Sequence, residues 1–210
     1  MSKTIRIRFA IAAVINLAVF CIVVGCLFSL IDSYNNDNNR FIYFTNISNL
    51  LVGLISLANV IFLSLSIAKN KIYVRPVFSL IKVIALSMTT LTFFIVLFVI
   101  GPLDGYAKNY TGRNFFTHLV VPVLALISYL FFEEKLQSKW KTSILILIPL
   151  VIYSILYIVC AIVLHYWPDI YHINKQGLWY LFLLAFLIVD FGIGQGIYFL
   201  KKFIDSKSYK

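Results

Sequence analysis

The sequence predicts an all-α, polytopic membrane protein of six transmembrane helices, a single domain over residues 1–210, and three observations predict it. Hydrophobic residues make up 61% of the chain and charged residues only 12%, where an ordinary soluble protein carries roughly 25% charged residues. Six apolar runs are each close to the ~20 residues that cross ~30 Å of hydrocarbon at 1.5 Å per residue. Lysine and arginine gather in alternate connections between those runs.

In order, the runs are about Phe9–Ile31, Thr45–Ala68, Val77–Ile100, Asn114–Phe132, Ser143–His165 and Gly177–Leu200. The first is too long for the apolar region of a signal peptide and no small-residue cleavage site follows it, so it reads as a span. The N-terminus carries Lys3, Arg6 and Arg8, the second connection Lys69, Lys71 and Arg75, the fourth Lys135, Lys139 and Lys141, and the tail Lys201, Lys202, Lys207 and Lys210. The other connections hold only Arg40, Lys108, Arg113 and Lys175. Positive charge marks the cytoplasmic side, so both termini are expected in the cytoplasm of a multi-pass cell-membrane protein. The net charge of +10 then reports topology and attraction to anionic inner-leaflet lipid, and calls for no nucleic-acid partner. Lys82, about five residues into the third span, is expected to snorkel to the inner interface.

The outer connections are polar and irregular: "SYNNDNNR" in the first, "GPLDGYAKNYTGR" in the third, and the aromatic-rich "HYWPDIYHINKQ" in the fifth, suited to the membrane–water belt. Cys21, Cys26 and Cys160 all fall inside spans and read as small buried apolar residues, with no disulfide framework, metal site or cofactor implied. Gly192, Gly194 and Gly196 lie in a span with no strand before them, so they mark close packing or bending rather than a dinucleotide fingerprint.

Polar groups inside a bilayer need a reason. Asn16, Asn59 and Asp190 come from three helices but share a depth of roughly 12–16 Å from the inner boundary, with Ser87, Thr89, Thr90 and Thr92 at or above it. Interhelical hydrogen bonding accounts for the asparagines. Asp190, ionisable near the midplane, forms with the Asn16 and Asn59 layer an alternative candidate working site, for a non-enzymatic transporter or scaffold.

The second span opens "FTNISNLL", and at 100° per residue Thr45, Ser48, Asn49, Val52, Ser56 and Asn59 fall on one face. The fourth opens "NFFTHLVVP", placing His118 roughly 6 Å below the outer boundary, near the depth of Thr45. A hydroxyl and an imidazole at one depth are the minimum for base-activated nucleophilic attack. Thr45 sits where an N-cap belongs, and the helix N-terminus there could stabilise an oxyanion, with Asn46, Ser48 or Asn49 as polar support. Pro122, four residues after His118, leaves the His118 carbonyl without its helical donor.

The segments "FIYFTNISNLL", "FFTHLVVPVLALISYLFF" and "IPLVIYSILYIV" resemble the androgen-induced-gene and ADTRP-like family of six-span membrane threonine hydrolases, in its bacterial branch. The resemblance implies a membrane-embedded ester hydrolase with Thr45 as nucleophile and His118 as base, acting on lipid-like esters such as fatty acid esters of hydroxy fatty acids, in a bacterial cytoplasmic membrane. The chain departs from the bacterial pattern at Ser128, where an acidic residue often stands, and in the last outer loop, where only "YWPDIY" appears.

Overall fold

A bilayer core offers the backbone no water, so apolar segments of spanning length satisfy their amides within helices. The computed structural model describes residues 1–32, 42–73, 76–134, 144–169, 171, 174 and 177–208. Six of its helical stretches are long and apolar enough to cross a membrane. They are α1 (Lys3–Asp32), α2 (Phe44–Ala68), α3 (Pro76–Asp104), α4 (Gly112–Phe132), α5 (Ile144–Val163) and α6 (Trp179–Ser208). The Asn-rich connection with Arg40, the cations Arg75, Lys135, Lys139, Lys141, Lys175 and Lys210, and His172 lie outside the described residues.

An even number of crossings returns the chain to its starting side. Arg8 of α1 donates to the Phe131 carbonyl of α4 at 2.7 Å, and Lys201 of α6 donates to the Glu133 carbonyl at 3.2 Å. These contacts define a terminal face; the opposite, loop face holds the starts of α2 and α4. Helix α3 is the axis of the bundle and touches α2, α4, α5 and α6. Its Ser79, Lys82, Ser87, Thr89, Thr90 and Thr92 are buried among neighbouring helices.

Prolines explain two widenings of the helical ladder. Pro102 and Pro122 cannot donate to the carbonyl four residues back, and just before each the turn opens to five residues: Gly101 N–H bonds to the Val96 carbonyl and Val121 N–H to the Phe116 carbonyl. Helices α1 and α2 meet at Gly53, where a Cβ would lie 2.7 Å from Val23 Cγ1. In the glycine run of α6 only Gly194 packs tightly, against Ile146, while Gly192 and Gly196 face open space.

Three expectations change. Lys82 does not reach out of the bundle: it is 1% exposed and pairs with Glu133 just after α4, which supplies the counter-charge inside the protein. The cysteines are not core residues, since Cys21 is exposed and Cys26 and Cys160 half-buried, all as free thiols. The "GPLDGYAKNYTGR" connection is largely helical, with short turns over Gly101–Asp104 and Tyr106–Asn109 separated by Gly105 at φ 91°.

Candidate functional site

The polar face of α2 packs inward as its spacing requires: Ser48, Asn49, Val52, Ser56 and Asn59 are buried and Thr45 is half-buried. The cap differs from expectation. Tyr43 occupies the N-cap position without a side-chain bond, and Thr45 is the second helical residue. A phenol from the last connection substitutes for the cap, because the Phe44 N–H donates to Tyr171 Oη at 3.1 Å. Thr45 is thereby freed from capping. Its hydroxyl has no hydrogen-bond partner among the described residues and lines a cavity at the loop face.

That cavity is open to the outside, and together with its open mouth it spans about 710 Å³ of atom-free space. Leu91, Ile95, Val96, Leu150, Leu183 and Phe186 form much of its apolar wall, and Thr45, Thr92, Tyr153, Tyr157 and Tyr171 bring hydroxyls to it. The tyrosines are tied together and to the chain entering α2. Tyr153 donates to the Ile42 carbonyl at 2.6 Å and stands 3.4 Å from Tyr171 Oη, and Tyr157 donates to Asp169 at 2.8 Å while accepting the Tyr171 N–H at 3.2 Å. Burial pushes the Tyr171 phenol above its ordinary range, so it stays protonated at neutral pH.

His118 sits in the widened turn of α4 that precedes Pro122 and is 9% exposed. Its Nδ1 lies 3.0 Å from the Asn109 carbonyl. A carbonyl only accepts, so Nδ1 carries the proton and the neutral ring keeps its lone pair on Nε2, the form a general base needs. Asn109 is fixed in turn by its own Nδ2, which donates to Gly105 at 2.9 Å.

Asn49 joins the two elements. Its Nδ2 donates to the Thr45 carbonyl at 2.8 Å and to the Thr117 carbonyl at 3.2 Å, so one amide nitrogen links the backbones that carry Thr45 and His118. Both N–H groups are then in use, and Asn49 acts as a clamp rather than a spare donor. Ser48 likewise donates to the Thr45 carbonyl at 3.0 Å and lies 3.3 Å from Thr92 Oγ1. Asn46 faces a separate small pocket with Cys26, Arg113 and Thr117. His118 does not line the Thr45 cavity; what the structure brings together is their backbones.

The midplane polar residues separate into two groups. Asp190 is fully buried and accepts from Ser87 Oγ at 2.6 Å. Asn16 and Asn59 belong instead to a terminal-face cluster. Asn16 donates to Ser128 Oγ at 2.8 Å and Glu133 Oε1 at 3.0 Å and accepts from Lys82 at 2.8 Å, while Asn59 shares a small chamber with Lys82, Glu133 and Glu134. Ser128 donates to the same Glu133 oxygen at 2.7 Å, so a carboxylate reaches that position from five residues downstream.

Sequence reasoning passed over Glu133, Glu134 and the tyrosines. Adjacent acids at a span end on the cation-rich side, and tyrosines four residues apart opposite an aromatic loop, were the available signals. No family model, curated protein or solved structure matches this chain.

Proposed function

We propose that the protein is a membrane-embedded lipid-ester hydrolase that uses Thr45 as nucleophile and His118 as base. The observation that carries this reading is that Thr45, whose hydroxyl has no hydrogen-bond partner among the described residues, lines an apolar cavity at the loop face. Lipid ester carbonyls lie at the headgroup–acyl boundary, the depth of a helix start at the loop face. In the reaction, His118 Nε2 takes the Thr45 hydroxyl proton, directly or through one water, as Oγ1 attacks the ester carbonyl. The leaving alkoxide receives that proton, and water then cleaves the acyl-threonine. Asn49 holds the two backbones in register. The resemblance of the α2, α4 and α5 sequences to the threonine hydrolase family supports the same assignment, and the cation distribution supports cytoplasmic termini and an outer-leaflet site.

A fluorophosphonate probe tests this directly. Wild type is expected to label, and Thr45→Ala and His118→Ala to lose labelling while remaining folded. Labelling in Thr45→Ala equal to wild type would remove Thr45 as nucleophile.

One observation favours a second, non-enzymatic reading as a transporter or scaffold: Asp190 is buried, and its Oδ2 has no partner among the described residues. A pH-dependent substrate flux abolished by Asp190→Asn, in protein that does not label, would select it.

A further inference from the structure

At the terminal face, a chamber with about 240 Å³ of empty space lies between α2, α3 and the end of α4. Its polar lining is Asn59, Ser79, Lys82, Tyr129, Glu133 and Glu134. Most of the charge in and around it is matched. Lys82 pairs with Glu133, and Lys201 pairs with Asp205 at 3.0 Å while donating to the Glu133 carbonyl. Glu134 is the exception. It is 7% exposed, and neither of its carboxylate oxygens has a hydrogen-bond partner among the described residues. In the same chamber Asn59, 2% exposed, has an Nδ2 with no acceptor among the described residues.

A buried carboxylate without hydrogen-bond donors disfavours its charged form. Burial first, and the charge of Glu133 second, push the Glu134 carboxyl up to about 8, against the opposing pull of Lys201 and Lys82. A metal ion is a poor neutraliser, because the Lys82 ammonium lines the same small space. A proton needs no added room. The Asn59 amide can donate to a carboxylate or accept from a carboxylic acid, and so suits both forms.

We propose that this chamber is a proton-binding site, in which Glu134 takes up one proton on a carboxylate oxygen beside Asn59 and releases it to water at the terminal face. Release has a structural consequence. The groups facing Glu134 are Lys82 from α3, Glu133 and Tyr129 from α4 and Lys201, with Asp205, from α6; Asn16 of α1 joins through Lys82. An ionised Glu134 competes with Glu133 for Lys82. Asn16, Ser128 and Lys82 all converge on one Glu133 oxygen, so that competition bears on the joint between α1, α3 and α4. The site is independent of any reaction at the loop face.

Infrared difference spectroscopy of the whole protein in lipid, titrated with pH, reads the proton directly. Wild type is expected to show a protonated-carboxyl C=O band that disappears with a midpoint near pH 8. Glu134→Gln should lack that band and Asp190→Asn should keep it. A band unchanged in Glu134→Gln, or no titrating band in wild type, overturns the proposal. Loss of the band on exchanging choline for sodium at constant pH also overturns it, since the chamber would then take a metal cation. Should Glu134→Gln fail to fold, Glu134→Asp must move the midpoint, and a wild-type midpoint there is equally fatal.

Discussion

The two ends of this bundle solve opposite problems. At the loop face, residues with neutral hydroxyls line an apolar cavity; Tyr153 and Tyr157 donate to Ile42 and Asp169 outside its wall, and Tyr171 accepts from the Phe44 N–H within it. At the terminal face, charged side chains line a smaller chamber. The first arrangement leaves the Thr45 hydroxyl without a partner among the described residues; the second commits Lys82, Glu133, Asn16 and Ser128 to holding helices together and leaves Glu134 and Asn59 with unmatched polar atoms. Buried charge is strong only when matched, so the terminal face should be fragile to single substitutions and the loop face tolerant of them.

Lys82→Met gives the largest test of that contrast. It strips the counter-ion from a buried Glu133 and should destabilise the protein by about 3–5 kcal/mol. Lys82→Met combined with Glu133→Gln removes both charges and should recover most of the loss, as measured by unfolding in detergent micelles. Equal losses in the single and double variants would mean that Lys82 contributes packing rather than charge.

Thermal stability against pH separates the faces next. The Glu134 carboxyl binds its proton more tightly folded, at about 8, than at its ordinary value of 4.5. A raised acid makes the unfolded state the weaker proton binder, so stability is greatest at low pH and declines as pH rises from about 4.5 through about 8. The expected fall in melting temperature is on the order of 5 °C, and Glu134→Gln should flatten it. A wild-type profile that rises over this range would contradict the assignment.

The unequal legibility of the two faces has a physical origin. Six spans follow from run lengths, and the inward face of α2 follows from the spacing of Ser48, Asn49, Val52, Ser56 and Asn59, because helical period is a local property. The start of α2 was only half legible. Thr45 looks like a cap by residue type, yet the Phe44 N–H is capped by Tyr171, 127 residues further along the chain, and no local rule encodes a phenol arriving from another loop. Lys82 misled for the same reason: snorkelling is what a lone lysine does, and its partner Glu133 comes from a helix whose neighbours only tertiary structure reveals. Shared depth grouped Asn16 and Asn59 with Asp190, but depth is one coordinate, and rotation of each helix put Asp190 against Ser87 instead.

Tyr171→Phe probes the loop face more gently. It removes the acceptor of the Phe44 N–H and the neighbour of Tyr153, at a cost of about 1 kcal/mol for one lost hydrogen bond. Proton exchange at the Phe44 amide should accelerate with little change at Asn49. Unchanged exchange at Phe44 would show that the tyrosine does not cap α2 in solution.

Thr45→Val should have the smallest effect on stability and so sharpens the contrast most. Val keeps the shape of Thr and removes only a hydroxyl that bonds to nothing among the described residues. The Thr45 carbonyl still accepts from Ser48 and Asn49, because those bonds use the backbone. The change in unfolding free energy should therefore stay within about 0.5 kcal/mol, the range of substitutions that break no buried interaction. Probe labelling should nonetheless vanish. A hydroxyl whose removal costs no stability but all labelling is one the fold holds for chemistry, whereas a loss of stability comparable to Tyr171→Phe would return Thr45 to the structural role its sequence position first suggested.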